Sequence, residues 1–411
     1  MTAHLTYEQP STGDYSIQVT GSKSESNRLL ILQALFPKLD IDNLSNSDDS
    51  KVLEKALHQG NGIIDIHHAG TAMRFLTAYF AVKPGAEVVL TGSERMQERP
   101  IGILVDALRS LGATIVYEKN EGFPPLRIVG QKISAKEVTI KANVSSQYIS
   151  ALMLIAGSLP NGLVIRLDGK VTSVPYINMT LSLLRQIRIK GEFKDNTIIV
   201  YHANELKQAN VVVESDWSSA SYFYSLVALS SGLSIKLQSY KKESLQGDSA
   251  LVRIYESLGV ETVFHDTEAA VTLTKNSQAI KHIVEFDLVN TPDIAQTIAV
   301  TCYGLGVGCR LTGLHTLKIK ETDRLVALKN ELEKLGTSVD ITMDSLELSV
   351  TGSIRSNIAI ETYNDHRMAM AFAPLALKVP IIIMDSGVVS KSFPTFWEDM
   401  EQLGMTVEVK N

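Results

Sequence analysis

The chain has 411 residues, of which 45% are hydrophobic and 20% are charged, as is usual for a globular protein. That length favours two or more domains. The formal net charge of −6 makes the molecule as a whole unattractive to polyanions, so we expect neither nucleic acid nor an anionic membrane surface as a partner. Any affinity for anions must come from cations that are grouped locally.

The N-terminus and the apolar stretches predict a cytoplasmic protein. The first residues, MTAHLTYEQPSTGDYS, lack the basic start and apolar core of a secretory signal. The longest weakly charged run, from Ile294 to Cys309, contains Gln296 and three glycines and is too short and too broken to span a bilayer. Cys302 and Cys309 lie in that run, where we expect core residues and no disulfide framework.

Residues 19–32, VTGSKSESNRLLIL, predict the end of a strand, a glycine turn and a helix that begins among serines. Serine side chains cap first-turn amides, so the serines are ordinary there. Lys23 and Arg28 are not, because a helix N-terminus carries about half a positive charge and repels cations. Either both side chains point into water, or an anion lies between them and the amides.

Six segments share a second pattern, an amphipathic helix that ends at or near Gly and continues into a β-rich stretch. They read KVLEKALHQGNGIIDI, VDALRSLGATIVY, LSLLRQIRIKGEF, VRIYESLGVETVF, LKNELEKLGTSVDI and MEQLGMTVEV. Gly suits the left-handed C-cap of a helix, and the Val, Ile and Thr that follow favour strands. The pattern predicts an α/β protein of six related units, three per domain, with a boundary near VVVESDWSS, residues 211–219.

Cations and neutral hydrogen-bond donors recur at the starts of four further predicted helices. They are Arg74 in HHAGTAMRFLTAYF, Ser145, Ser146 and Gln147 in NVSSQYISALMLIAG, Lys320 and Arg324 in IKETDRLVALKNEL, and His366 and Arg367 in TYNDHRMAMAFAPLAL. Each could be a helix cap with a solvated charge, and the acidic residues of KETDR could form purely structural ion pairs with its cations. Together the segments predict one site for a polyanionic small molecule, built from helix ends and guanidinium groups.

Other kinds of site have no support in the sequence. There is no GxxxxGK[ST] segment for a P-loop and no G-x-S-x-G elbow for a serine hydrolase. His67 and His68 are adjacent and have no partner ligands at the spacing of a zinc site. Metal and acyl-enzyme chemistry are therefore not expected.

Seven motifs occur in order along the chain, from about residue 20 to residue 397: GSKSESNR, AGTAMR, RMQERPIGILVDAL, SSQYISALM, KETDRL, NDHRMAM and KSFPTF. In sequence and order they resemble the enolpyruvyl transferase family, and most closely its branch that acts on shikimate 3-phosphate. The resemblance implies two domains, each with three βαβαββ repeats in an inverted α/β barrel-like arrangement, and an active site in the cleft between them. Because the family's first strand crosses to the C-terminal domain, the implied domains are residues 1–20 plus 214–411 and residues 21–213.

The resemblance also implies a reaction. The enolpyruvyl (carboxyvinyl) group of phosphoenolpyruvate would be transferred to the 5-hydroxyl of shikimate 3-phosphate, with release of phosphate, in the shikimate pathway of aromatic amino acid biosynthesis. It implies no metal, no organic cofactor, and a monomer whose partners are the two small substrates. Two anionic substrates would explain the cations at the helix starts.

By matching motif, the resemblance gives roles to individual residues. Asp293, in NTPDIAQ, would accept the hydroxyl proton, and Glu321 would protonate the methylene carbon, with Lys391 and Lys23 as further candidates. The residues implied to bind shikimate 3-phosphate are Lys23, Ser24, Arg28, Ser145, Ser146, Gln147, Ser173, Tyr176, Asp293, Thr316 and Lys320. Those implied to bind phosphoenolpyruvate are Lys23, Gly70, Arg99, Gln147, Arg324, Arg367 and Lys391.

Three positions depart from the family pattern: His68 and Thr316 stand where Asn is usual or frequent, and Phe75 stands where Pro is usual.

Two alternative functions stay open. The sister enzyme that acts on UDP-N-acetylglucosamine has a Cys in the loop that reads TGSERMQERP here, and no Cys is present. A non-catalytic anion-binding homologue would keep the arginines but would not need Asp293 and Glu321.

Overall fold

The computed structural model describes residues 1–8, 12–142, 145–169, 171, 174–203, 206–349 and 353–410. The chain forms two compact units: the inserted unit, Gly21–Val213, and the terminal unit, Met1–Thr20 together with Glu214–Asn411. None of the helices in the described part of the chain has the length and apolar character that a membrane span requires.

Over the described residues the units are built from short strands and helices. The strands are β1 (Thr2–Thr6), β2 (Thr12–Ile17), β3 (Leu39–Asp42), β4 (Gly62–Asp65), β5 (Glu87–Thr91), β6 (Thr114–Tyr117), β7 (Leu126–Val129), β8 (Glu137–Lys141), β9 (Leu163–Asp168), β10 (Gly191–Lys194), β11 (Thr197–Val200), β12 (Ala209–Val212), β13 (Gly232–Gln238), β14 (Val260–His265), β15 (Ala270–Lys275), β16 (Ile283–Asp287), β17 (Gly308–Thr312), β18 (Ser338–Ile341), β19 (Leu346–Ser349), β20 (Ile358–Ile360), β21 (Ile381–Ile383) and β22 (Thr406–Lys410). The α-helices are α1 (Lys23–Leu35), α2 (Asp48–Gln59), α3 (Gly70–Val82), α4 (Glu94–Gln97), α5 (Gly102–Ser110), α6 (Ser146–Ala156), α7 (Val174–Gln186), α8 (Trp217–Leu229), α9 (Leu251–Glu256), α10 (Ala295–Leu305), α11 (Arg324–Leu335), α12 (His366–Phe372) and α13 (Phe396–Gln402).

One βαβαββ repeat recurs in both units. In β4-α3-β5-α5-β6-β7 the first two strands are parallel, and β7 pairs antiparallel with both β5 and β6, which gives the sheet order β4-β5-β7-β6. The same order recurs as β8-β9-β11-β10, β2-β13-β15-β14, β16-β17-β19-β18 and β20-β21-β1-β22. The prediction of an α/β protein built from repeated strand-helix units is confirmed.

The sixth sheet is smaller than the repeat predicts. Among the described residues of the inserted unit, only β3 and β12 pair in this sheet, in parallel, and α1 and α2 flank β3 in the chain. Over the described ranges of the chain, the final antiparallel hairpin of the repeat has no counterpart in that sheet. In the terminal unit, β1 and β2 instead complete two sheets of the C-terminal half, which is why residues 1–20 belong there.

Most of the predicted glycine turns are formed. The left-handed backbone occurs at Gly60, Gly112, Gly259, Gly336 and Gly404, with φ of 72°, 103°, 88°, 109° and 90°. Gly60 and Gly336 are the C-caps of α2 and α11, where a residue with a Cβ would be strained. A strand follows each of the five turns, as the sequence pattern predicts.

The glycine of LSLLRQIRIKGEF behaves differently, so the predicted C-cap is wrong there. Helix α7 ends at Gln186, Arg188 takes the positive φ of 66°, and Gly191 begins strand β10. A Cβ on Gly191 would lie 2.9 Å from Cδ2 of Leu181 in α7. Glycine at this position therefore leaves room for the Leu181 side chain to pack closely against the strand.

The two cysteines lie in the core of the terminal unit. Cys302 in α10 and Cys309 in β17 are 0% and 1% exposed, and both are free thiols. Their prediction as core residues is confirmed. Around them the long apolar run of the sequence forms a buried helix and strand.

Candidate active site

Two helix starts of the inserted unit have the serine caps that the sequence predicts. Helix α1 begins at Lys23, and its N-cap Ser22 accepts a hydrogen bond from a first-turn amide at 3.5 Å. Helix α6 begins at Ser146, and its N-cap Ser145 accepts from the amide of Gln147 at 3.4 Å. Lys23 and Gln147 are therefore first-turn residues, at the positive ends of their helices.

The guanidinium of Arg28 is buried where α1 meets α6 and α7. It donates to the hydroxyls of Thr180 and Ser150 at 2.8 and 2.9 Å, and to the carbonyl of Ser24 at 2.7 Å. All of its hydrogen-bond partners among the described residues are thus neutral. Burial lowers the pKa of Arg28 to about 10, so the group is still cationic at neutral pH. The interpretation in which Arg28 points into water is wrong.

Two aromatic rings border the same guanidinium. Its central carbon lies 5.4 Å from the ring centre of Phe75 in α3 and 5.6 Å from that of Tyr176 in α7. Phe75 is fully buried, whereas Tyr176 is half-buried. One of the three positions that depart from the family pattern therefore lies directly against a predicted substrate-binding cation.

Lys23 has a different kind of partner. Its ammonium lies 3.3 Å from Oδ2 of Asp49 in α2, and the two side chains are 18% and 4% exposed. A buried carboxylate therefore holds Lys23 in place, and the view that this cation merely points into water is also wrong.

Gly70 and Arg99 are close neighbours. A Cβ on Gly70 would lie 2.6 Å from Nη1 of Arg99, so only glycine leaves room for this guanidinium at the start of α3. The next residue in the chain, Pro100, accepts at its carbonyl from Arg74 Nη2 at 2.8 Å and from the Tyr148 hydroxyl at 2.5 Å. These two donors from α3 and α6 fix the loop that carries Arg99.

Arg324, the first residue of α11, is the centre of a charge network in the terminal unit. Its side chain is 2% exposed and donates to Asp365 at 2.6 Å, to Asp293 at 2.9 Å and to Glu321 at 2.9 Å. One guanidinium thus binds three carboxylates. The structural ion pair considered for KETDR is formed, and it includes two carboxylates from elsewhere in the chain.

Three more cations border this network. Lys391 donates to Oε1 of Glu321 at 2.7 Å, and Lys320 lies 3.3 Å from Oδ1 of Asp293. Arg367 Nη2 lies 3.7 Å from the other oxygen of Asp293. The side chains of Asp293 and Glu321 are 14% and 15% exposed, so a small ligand can reach both carboxylates.

Electrostatics keeps Asp293 ionised. Burial raises the pKa of its carboxyl, but the charges of Lys320, Arg367 and Arg324 outweigh burial and hold the pKa well below its ordinary value. Burial would lower the pKa of Arg324, yet the surrounding carboxylates hold it above its ordinary value. At neutral pH Asp293 is therefore ionised and Arg324 is cationic, and the two charges stabilise each other.

A second carboxylate stands behind Arg367. The hydroxyl of Ser218 accepts from Arg367 Nη2 at 3.3 Å and donates to Asp248, which also accepts from the hydroxyl of Thr291. Burial raises the pKa of Asp248, and the nearby charge of Asp293 raises it further. Arg367 is thus held from two sides.

A model of the family described as EPSP synthase (3-phosphoshikimate 1-carboxyvinyltransferase) matches residues 52–400. The chain belongs to the EPSP synthase family. A 3-phosphoshikimate 1-carboxyvinyltransferase of Bacteroides fragilis is 48% identical, covering 97% of this chain and 98% of that protein. Another from Marinomonas sp. is 35% identical, covering 93% of this chain and 95% of the relative. The family resemblance read from the seven motifs is confirmed.

Solved structures agree on the fold of this EPSP synthase family member. The structure of an EPSP synthase from Acinetobacter baumannii superposes with a TM-score of 0.79, covers 100% of both chains and is 20% identical. At that identity the likeness concerns the fold alone. It confirms the expected enolpyruvyl transferase fold over the full length of the chain.

Other predicted site residues of this family member have these positions. Ser24, Ser145, Ser146 and Tyr176 are half-buried in the inserted unit, where Gln147 also donates to the hydroxyl of Thr71 at 3.0 Å. Thr316 lies in the terminal unit, with a buried hydroxyl that has no partner among the described residues. Ser173 lies outside the described residues. The part of the chain that is described contains no group of three His, Cys, Asp or Glu side chains able to hold a metal ion.

Several residues that contact the predicted site were missed from the sequence. Asp49 holds Lys23, Asp365 holds Arg324, and Asp248 stands behind Arg367. Of these three carboxylates, only Asp365 can be recognised in the sequence, because its position before the helix in NDHRM is that of an N-cap. Its side chain does accept a hydrogen bond from the amide of Arg367 at 2.9 Å. The other two carboxylates lie far in sequence from the cations they hold.

Proposed function

We propose that the chain transfers the carboxyvinyl group of phosphoenolpyruvate to the 5-hydroxyl of shikimate 3-phosphate, giving 5-enolpyruvylshikimate 3-phosphate and phosphate. Relatives that match nearly the whole chain are named 3-phosphoshikimate 1-carboxyvinyltransferase. The observation that carries the proposal is the series of contacts from Asp293 through Arg324 and Glu321 to Lys391. It supplies a proton acceptor and a proton-donating pair on two sides of one buried cation.

The proposed chemistry is addition followed by elimination. The hydroxyl oxygen attacks C2 of phosphoenolpyruvate and loses its proton to Asp293, while C3 gains a proton, which gives a tetrahedral intermediate. Phosphate then leaves C2 and C3 returns its proton, which restores the double bond. Asp293 suits the first step because the surrounding cations keep it ionised.

Protonation of C3 is proposed for the pair of Glu321 and Lys391. The Lys391 ammonium donates to Glu321 at 2.7 Å, so a proton is held between the two groups and can be delivered by either. Lys23, whose ammonium is paired with a carboxylate in the inserted unit, is the third candidate donor.

Both substrates are anions, so their close approach requires many cations. We propose that shikimate 3-phosphate binds Lys23, Ser24, Arg28, Ser145, Ser146, Gln147, Ser173, Tyr176, Asp293, Thr316 and Lys320. We propose that phosphoenolpyruvate binds Lys23, Gly70, Arg99, Gln147, Arg324, Arg367 and Lys391. Arg28 supports this division, because it is a buried cation whose hydrogen-bond partners among the described residues are neutral.

The test is phosphate release on mixing the protein with both substrates. Each substrate alone should give none, and UDP-N-acetylglucosamine in place of shikimate 3-phosphate should give none. Treatment with EDTA should leave the rate unchanged, since no metal takes part in the proposed reaction. Release only with UDP-N-acetylglucosamine would establish the sister activity. Binding of shikimate 3-phosphate without any release would establish the non-catalytic homologue.

Localisation and assembly stay predictions from the sequence. We propose a cytoplasmic monomer whose partners are the two small substrates and neither nucleic acid nor membrane, as the net charge of −6 favours. Size-exclusion chromatography with light scattering, with and without substrates, checks the monomer.

A further inference from the structure

The surroundings of Arg28 are unusual for a buried cation. A buried guanidinium is ordinarily paired with a carboxylate, because an unpaired charge in a protein interior is strongly unfavourable. Here the hydrogen-bond partners among the described residues are two hydroxyls and one carbonyl, the rings of Phe75 and Tyr176 lie beside the guanidinium, and the charge of Glu25 acts on it as well.

An aromatic face stabilises a cation differently from a carboxylate. It attracts the positive charge through the ring quadrupole but adds no negative charge of its own. The rings and hydroxyls therefore leave the positive charge of Arg28 to be balanced by the charge of Glu25 and by an anionic ligand. Where a carboxylate holds the guanidinium, as Asp365 holds Arg324, much of that charge is already neutralised.

We propose that Phe75 is a positioning residue for Arg28: its ring, together with the hydroxyls of Thr180 and Ser150 that accept hydrogen bonds from the guanidinium, holds that group in place for the phosphorylated acceptor. The inference rests on the proposed function for the identity of that ligand. It concerns how this chain positions the Arg28 guanidinium before the ligand binds. It gives Phe75 a role in ligand binding that a residue of the hydrophobic core would not have.

The competing explanation is that Phe75 only fills the core. It is 0% exposed in the middle of the apolar helix α3, where any large hydrophobic side chain would be favourable. Phe75→Leu separates the two explanations, because leucine fills most of the space but has no aromatic face. Phe80→Leu is the matched control, since Phe80 is also 0% exposed in α3 and its ring contacts that of Tyr79.

The experiment is calorimetric titration of the full chain with shikimate 3-phosphate. Phe75→Leu should weaken binding about twofold to thirtyfold, the range that corresponds to the loss of one cation–π contact. Phe80→Leu should bind as the unchanged protein does, and Phe75→Tyr should keep most of the affinity because it keeps the ring. If Phe75→Leu does not fold, Phe75→Met removes the ring with an unbranched side chain of similar size.

A double variant supplies the readout that a structural role would not change. In the background of Arg28→Ala, Phe75→Leu should have no further effect on affinity, because the ring acts only through the guanidinium. For Phe75→Leu alone, kcat and the KM for phosphoenolpyruvate at saturating shikimate 3-phosphate should stay within about twofold of the values for the unchanged protein, since the substitution acts on acceptor binding.

Three outcomes would overturn the proposal: equal losses in Phe75→Leu and Phe80→Leu, unchanged binding in Phe75→Leu, or full additivity with Arg28→Ala. Phosphate release by the unchanged protein is measured first. If release occurs and one of these outcomes follows, only the role of Phe75 is wrong. If the unchanged protein neither binds shikimate 3-phosphate nor releases phosphate, the proposed function fails as well.

Discussion

Arg28 and Arg324 are both almost fully buried arginines on helices, yet their surroundings are opposite. Arg28 is held by hydroxyls, a carbonyl and aromatic rings, whereas Arg324 binds three carboxylates. The first arrangement leaves a positive charge available to a ligand. The second uses the positive charge to fix the positions of Asp293 and Glu321. Under the proposed function, arginines of similar burial would serve ligand recognition in one unit and the placement of proton-transfer groups in the other.

The largest expected effect comes from Glu321→Gln, which tests the catalytic side of this comparison. The change keeps size and a hydrogen-bond acceptor for Arg324, but it removes the carboxylate that can take up the proton of Lys391 and deliver it to C3. Turnover should fall by about a hundredfold to ten-thousandfold, with much smaller changes in substrate affinity. Steady-state phosphate release together with calorimetry separates the two quantities. Normal turnover with lowered stability would make Glu321 a structural ion-pair partner only.

Asp365→Ala tests whether the carboxylates are needed structurally around Arg324. Removing one partner of a fully buried ion pair should destabilise the terminal unit by about 3–5 kcal/mol. Ser150→Ala, the corresponding change beside Arg28, should destabilise the inserted unit by only about 1.5 kcal/mol, the lower end for a hydrogen bond to a charged group.

The two units can be followed separately in these unfolding experiments. Both tryptophans, Trp217 and Trp397, belong to the terminal unit, so their fluorescence during urea unfolding reports Asp365→Ala. Hydrogen exchange in α6 and α7 reports Ser150→Ala. If both variants lost the same stability, the contrast between the two arginines would not be one of charge compensation.

Removing the cations of the inserted unit should affect binding selectively. Arg28→Ala should weaken shikimate 3-phosphate about tenfold to hundredfold, as expected for the loss of charge-assisted hydrogen bonds, and should affect phosphoenolpyruvate less. Lys23→Ala should weaken both substrates, because Lys23 is proposed to contact each of them. Calorimetric titration of each variant with each substrate measures this. Small and equal effects in both variants would contradict a role for these cations in binding.

The smallest expected effect concerns pH. Lys320 is the foremost of the three cations that hold the pKa of Asp293 below its ordinary value against the opposing effect of burial. Lys320→Met should therefore raise that pKa. Because a proton acceptor must be ionised, activity is lost as pH falls through its pKa, and the acidic limb of kcat should move to higher pH. Rate profiles at saturating substrates check this, with the surface change Lys318→Met as the control. An unmoved limb would mean that Asp293 does not limit turnover at low pH.

Features that depend on near neighbours in the chain could be predicted from the amino-acid sequence. The serine caps before Lys23 and Gln147, and the left-handed glycines such as Gly60 and Gly336, follow from contacts within a few residues. The ordered motifs identified the family because they contain the residues that are predicted to bind the substrates. The predicted cap at Gly191 was wrong, because Arg188 takes the positive φ and Gly191 lies in a strand that packs against Leu181.

The partner of each charged side chain, in contrast, depends on contacts between residues far apart in the chain. Ser150 and Thr180 are 122 and 152 residues from Arg28 in the chain, and Asp365 is 41 residues from Arg324. Whether an arginine meets a hydroxyl, a ring or a carboxylate depends on which helices pack together, and helix packing depends on burial summed over whole faces. That is why the sequence predicted the cations of the proposed site and could not predict that one would donate to neutral groups while the other would bind three carboxylates.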